Sequence, residues 1–139
     1  MKISKFYEDN NLMIRAAKVA RMSWDSEHKS DSTPEGLGEA DLKLAVKLMK
    51  AGSDHSAAFR QVVVWFEMSA SRGFYQHFAK YRHGVEMYST SLIQRRAIML
   101  SYPAMRSIYA SRSKHRKPEW REFLEQLLEL MDYPELITT

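Results

Sequence analysis

The sequence predicts an α/β (α+β) domain, a small and mainly antiparallel sheet covered by helices. Three stretches carry that expectation. Residues 61–68, QVVVWFEM, are β-branched and aromatic without a helical period, which marks a strand. Residues 119–131 place Trp120, Phe123, Leu124, Leu127, Leu128 and Met131 at helical spacing. Residues 39–51 put Leu42, Ala45, Val46 and Met49 on one side and Lys43, Lys47 and Lys50 on a polar stripe. A chain of 139 residues suits a single domain with a modest core.

Taken in order, Ile3, Phe6 and Tyr7 alternate weakly, as in a short strand or a lead-in. Asp9 or Asn10 caps a helix over 12–22, with Leu12, Ala16, Val19 and Ala20 recurring at helical spacing. Residues 23–38, SWDSEHKSDSTPEGLG, form the longest polar stretch and read as a loop. A loop of that length either moves or engages a ligand. Gly52 ends the helix over 39–51. The strand over 61–68 reads as buried on both faces. Ser69 or Ser71 caps a helix over 72–83 closed by Gly84. Residues 92–102 are ambiguous, with a strand in the second half ending at Pro103. Residues 104–112 suit a short helix, and Pro118 opens the last one. No repeat, low-complexity tract or linker divides residues 1–139, so one domain is expected.

Composition narrows the function classes. The formal net charge is +4 with five histidines uncounted, a mild excess compatible with phosphorylated partners and with much else. No run of about 20 apolar residues occurs, so no membrane span is expected. The opening MKISKFYEDNN lacks the apolar stretch of a secretory signal. The absence of cysteine excludes disulfides, thiolate ligands and cysteine nucleophiles, and fits a cytoplasmic setting. His28, His55, His77, His83 and His115 show no two-ligand spacing with a nearby carboxylate, so no metal is predicted.

The segment from Asp54 to Ser91 holds the candidate chemistry. On a helix over 72–83, Arg72, Gln76, Lys80 and His83 share one face, and Phe74, Phe78 and Tyr81 another. Gln76 can both donate to and accept from an imide edge. Arg72 and Arg82 can hold phosphate or carboxylate with two hydrogen bonds. A solvated basic face gives the same stripe. Ser89, Thr90 and Ser91 can hold a phosphate or simply form a turn. His55 sits at an element boundary, where it can stack on a ligand or serve as an ordinary polar residue. Arg106, Arg112, Lys114, His115, Arg116 and Lys117 lie near Tyr102, Tyr109 and Trp120. That mix suits single-stranded nucleic acid or a solvated loop.

The order of these motifs resembles flavin-dependent thymidylate synthase, the ThyX family. Ala16-Ala17-Lys18-Val19 with Met22-Ser23-Trp24 is similar to the family's early helix end. The helix from Asp41, with Gly52 and His55-Ser56, is similar to its Gly-His-x-Ser segment. Phe59 to Glu67 resembles its Phe/Val strand. Ser71-Arg72, Gln76 and Lys80-Tyr81-Arg82 resemble its Arg…Gln…Arg-His-Arg, and Tyr88-Ser89 resembles the later Tyr-Ser. The likeness covers residues 11–91. Lys80-Tyr81-Arg82 departs from Arg-His-Arg, Gln76 lies one residue further away than in the family, and Ser91-Leu92 replaces Arg-Tyr, with Arg95 and Arg96 shortly after.

The resemblance implies a ThyX-like fold lacking the family's C-terminal part. It also implies reductive methylation of dUMP to dTMP, or a related reaction on a pyrimidine nucleotide. FAD would be the cofactor, with NADPH and methylene-tetrahydrofolate as co-substrates. It assigns His55, Ser56, Lys80, Tyr81, Arg82 and Glu86 to the cofactor, with His55 and Ser56 reaching a neighbouring subunit's flavin. It assigns Arg72, Gln76, Ser89, Ser91 and Arg95 to the nucleotide. A homo-oligomer, tetrameric in the family, would share its sites between subunits. Two alternatives stand beside it. One is a ThyX-like binding or regulatory protein without turnover. The other is a nucleic-acid-binding domain using residues 95–117.

Overall fold

Alternation along one strand sets the architecture. In β2 (Val63–Ser69), Val64, Phe66 and Met68 are buried, while Val63, Trp65, Glu67 and Ser69 are half-buried. Only one face of this strand enters the core, which corrects the expectation of burial on both faces. One-sided burial is the normal state of an antiparallel sheet. The computed structural model describes residues 1–8, 10–89 and 95–138. Among these, β1 (Lys2–Glu8), β2, β3 (Val85–Ser89) and β4 (Arg95–Ser101) form one antiparallel sheet ordered β1-β2-β4-β3. Val64, Leu100 and Val85 share the inner face, as do Phe66 and Ile98. Trp65, Met99 and Glu86 lie in register on the outer face. There Trp65 also stacks on Tyr88 at 5.9 Å.

Helices cover the inner face. They are α1 (Asn10–Met22), α2 (Glu39–Ala51), α3 (Arg72–Phe78), α4 (Tyr102–Arg112), α5 (Pro118–Leu130) and α6 (Glu135–Thr138). Phe74 and Phe78 of α3 meet Trp120 and Phe123 of α5, with Phe74 and Trp120 at 4.7 Å. Phe123 also reaches Phe66 on the sheet at 6.5 Å. Each of these fully buried rings contributes about 1.5–3 kcal/mol. Together they fasten α3 and α5 to the strands. Ser71 and Ser101 accept hydrogen bonds from Phe74 N and Ala104 N, capping α3 and α4.

Helix α3 ends at Phe78, not at residue 83. Ala79 N donates to Tyr75 O, and Lys80 N turns back to His77 O. The chain must then reverse into β3, a strand the sequence did not announce. Gly84, at φ +69°, makes that reversal. Its carbonyl accepts from Ser101 N at 2.8 Å, and a Cβ there would collide with the Ser101 hydroxyl. Arg72 and Gln76 therefore share a helical face, whereas Lys80 and His83 lie beyond the helix.

The polar stretch 23–38 is held by the protein itself. Asp41, fully buried in the first turn of α2, accepts from Arg21 Nε, from Ser30 Oγ at 2.7 Å and from Ser32 Oγ. Asp31 accepts from Ala40 N at 2.8 Å and Asp41 N at 3.1 Å. It caps α2, where Gly38 has no side chain to offer. Burial works to raise the Asp41 pKa, but hydrogen bonds from Ser32, Ser30 and Arg21 outweigh it and hold the carboxyl below its ordinary value.

Two expectations test this account. Asp41→Ala leaves buried Arg21 without its counter-charge and costs about 3–5 kcal/mol in urea unfolding. Because the folded-state pKa is lowered, the Asp41 contribution is complete above the unfolded carboxylate pKa of about 3.9 and fades as pH falls through the folded value. Wild-type stability should therefore fall more on acidification than that of Asp41→Ala. Gly84→Ala should cost about 1–3 kcal/mol through a positive φ and the Ser101 clash.

Candidate functional site

The turn 79–84 and the N-terminal half of α4 enclose a run of basic clefts. Lys80, Tyr81, Arg82, His83, Ala104 and Ser107 line one of about 160 Å³. The next, of about 290 Å³, adds Arg60, Gly84, Ser101 and Pro103 while sharing His83, Ala104 and Ser107. Across the turn, Tyr81, Arg82 and Glu86 border a third of about 310 Å³. The first two have no acidic residue in their walls. A wall rich in donors and free of carboxylates favours an anion.

The amides at the start of α4 are already committed. Tyr102 N donates to Val62 O at 3.1 Å, Pro103 has no N–H, and Ala104 N donates to Ser101 Oγ. An anion at this wall meets side chains, not the open helix end of a phosphate-binding loop. Arg60, in the same wall, donates from Nη2 to Ser53 O at 2.7 Å.

Tyr81 is anchored. Arg112 Nε donates to its hydroxyl at 2.7 Å, and Ser111 Oγ lies 3.0 Å from the same oxygen. The Arg112 guanidinium also sits 4.9 Å over the Trp120 ring and 5.8 Å over that of Tyr81. This clamp binds the turn to α4 and leaves Lys80 and Arg82 exposed on either side. Arg112, grouped by the sequence with a basic run, works here as a brace.

The remaining predicted residues scatter. His55 is exposed and lines a different cleft of about 300 Å³ with Val19, Trp24, Leu48 and Asp54. Ser56 is buried, its hydroxyl donating to Ser53 O at 3.2 Å. Arg72 and Gln76 are exposed on α3 and border none of these clefts. Arg95 pairs with Glu67, whose carboxyl it holds below the ordinary range. Ser89 pairs in register with Arg96 at the end of β3, and Ser91 lies outside the described residues. One chain thus gathers Lys80, Tyr81, Arg82 and Glu86 but not the set expected for the nucleotide.

Two features escaped the sequence reading. Arg60 and Ser107 join the turn only through the fold, because a short helical turn (Ala57–Gln61) carries Arg60 toward α4. Beside the His55 cleft, Val19, Met22 and Trp24 are 55%, 62% and 69% exposed, an apolar rim. The helical spacing of Val19 was legible, but not that Val19 and Met22 face outward, and Trp24 lies beyond the end of α1. Among the described residues, no cluster of three or more His, Cys, Asp or Glu can hold a metal, and no helix is long and apolar enough to cross a membrane.

No protein-family model matches the chain, and no curated protein matches it. Its fold is similar to the crystal structure of the flavin-dependent thymidylate synthase ThyX from Helicobacter pylori, complexed with FAD and dUMP. The TM-score is 0.80 over 99% of this chain and 98% of that chain, at 13% identity. At that identity the likeness bears on architecture: the four-stranded antiparallel sheet and its helices form a ThyX-like fold.

Proposed function

We propose that the chain is a ThyX-like flavoprotein acting on a pyrimidine nucleotide, methylating dUMP to dTMP or catalysing a related reaction. The observation that carries this reading is the acid-free cationic wall between the 79–84 turn and α4, on a fold shared with an enzyme complexed with FAD and dUMP.

The donor set fits a phosphorylated flavin. Lys80, Arg82 and Arg60 offer charge to the phosphates, and Arg82 offers a planar two-bond grip. Glu86, across the turn, can accept from a ribose or ring N–H. When bound, a flavin supplies reversible hydride transfer, with NADPH as reductant and methylene-tetrahydrofolate as one-carbon donor. The chain's own part is to grip, orient and exclude water. In this reading Arg72, Gln76, Ser89, Ser91 and Arg95 bind the nucleotide, while His55 and Ser56 reach the flavin of another copy. Arg72 and Gln76 are open to solvent in one chain, so the reading requires a homo-oligomer with shared sites. The apolar rim of Val19, Met22 and Trp24 supports such association.

The tethered Tyr81 favours a second reading, a nucleotide-binding protein on the same scaffold without flavin turnover. Its hydroxyl is engaged by Arg112 and Ser111 rather than free for a ring.

Purified protein should be yellow and take up FAD by calorimetry. Arg82→Ala should abolish that uptake with the urea midpoint unchanged, because Arg82 is exposed and forms no ion pair among the described residues. A colourless protein that takes up no FAD rules out the flavin reading. Reoxidation of bound reduced flavin on adding dUMP with methylene-tetrahydrofolate would exclude the second reading.

A further inference from the structure

A half-buried guanidinium without a counter-charge calls for an explanation, because desolvating its donors is costly. Arg106, in the middle of α4, is such a group. Its Nη1 is buried and meets no hydrogen-bond partner, and among the described residues Arg106 forms no ion pair. It lines a cleft of about 320 Å³ at the C-terminal end of α2. Lys50, from the last turn of α2, is in the same wall with Ser53, Ser56 and Ser107. None of the residues lining this cleft is acidic. Asp54, next in sequence to Ser53, lines the His55 cleft instead.

A bland account covers only part of this. The last carbonyls of α2 carry partial negative charge, which explains a lysine in its final turn. It does not explain Arg106, whose buried Nη1 makes no hydrogen bond to those carbonyls. Ser56 is also unsuited as a free donor, because its hydroxyl already donates to Ser53 O. Ser53 Oγ likewise donates to the Asp54 carboxylate, at 3.5 Å. That leaves two cations and the hydroxyl of Ser107 around one solvent-open space.

We propose that this cleft is a phosphate site, with Arg106 as the two-bond donor, Lys50 as the second cation, and Ser107 as the hydroxyl donor. A phosphate offers several oxygens to the planar Nε–Nη2 edge of Arg106 and balances the charge of a guanidinium whose Nη1 is buried. The inference does not rest on the flavin reading, although Ser56, assigned there to the flavin of another copy, also lines this cleft. The cleft meets the basic wall beside the 79–84 turn at Pro103 and Ser107, but its cations are different ones.

The test is calorimetric titration of the whole chain with inorganic phosphate, with chloride holding ionic strength constant. Arg106→Met and Lys50→Met should each weaken phosphate binding by about tenfold or more, while Lys18→Met leaves it within about twofold because that exposed lysine on α1 lines none of the clefts described above. The urea midpoint of Arg106→Met in phosphate-free buffer should equal or exceed that of the wild type, since an unpaired charge is removed. A second titration with AMP separates the sources. Tighter binding than phosphate assigns the site to a nucleotide ester, and equal binding assigns it to the free ion. Absence of phosphate binding by the wild type, or affinity unchanged in both Arg106→Met and Lys50→Met, overturns the proposal. FAD uptake measured on the same samples reports separately on the flavin reading.

Discussion

The contact between Gly84 and Ser101 determines where the candidate site sits. Ser101 closes β4, opens α4 and donates its backbone N–H to Gly84. Its neighbour Tyr102 donates to Val62 at the entrance to β2. One short stretch thus joins the sheet, the first turn of α4 and the turn carrying Lys80 and Arg82. Only a residue without Cβ allows so close an approach at a positive φ. The Arg112–Tyr81 clamp then fixes the other end of that turn.

Packing explains why this wall is exposed at all. The inner face of the sheet is taken by the ring cluster of Phe66, Phe74, Phe78, Trp120 and Phe123. The helices that deliver those rings must end close to the sheet, and α3 stops after seven residues. Its continuation is then free to display charge. The buried Asp41–Arg21 pair does comparable work elsewhere, holding the long 23–38 stretch through Ser30 and Ser32.

The helices were legible because their period is set by burial of one stripe. Over 39–51 the expected and observed spans coincide, and α5 differs from the expected 119–131 by one residue at each end, whereas the short α6 was not expected. β3 was not legible. Val85, Glu86, Met87 and Tyr88 make a short strand whose pairing with β4 is a tertiary fact. The extent of α3 was overestimated because Lys80 and His83 continue its period by coincidence, while the reversal at Gly84 overrides it. At the candidate site, Lys80, Tyr81, Arg82 and Glu86 were visible as a sequence run. Arg60, Ser107 and the brace at Arg112 were not, since they reach the turn from other elements. Charge type can be read from a string of letters, whereas the direction of a side chain depends on what packs beneath it.

The commitment of every first-turn amide of α4 has a consequence for how this surface works in a cell. Sites built on open backbone N–H groups hold an anion with donors fixed in place by the helix. A surface that relies on mobile, exposed lysine and arginine heads is screened within about 8 Å at physiological ionic strength. An anion held there would therefore come and go with the ionic strength of its surroundings.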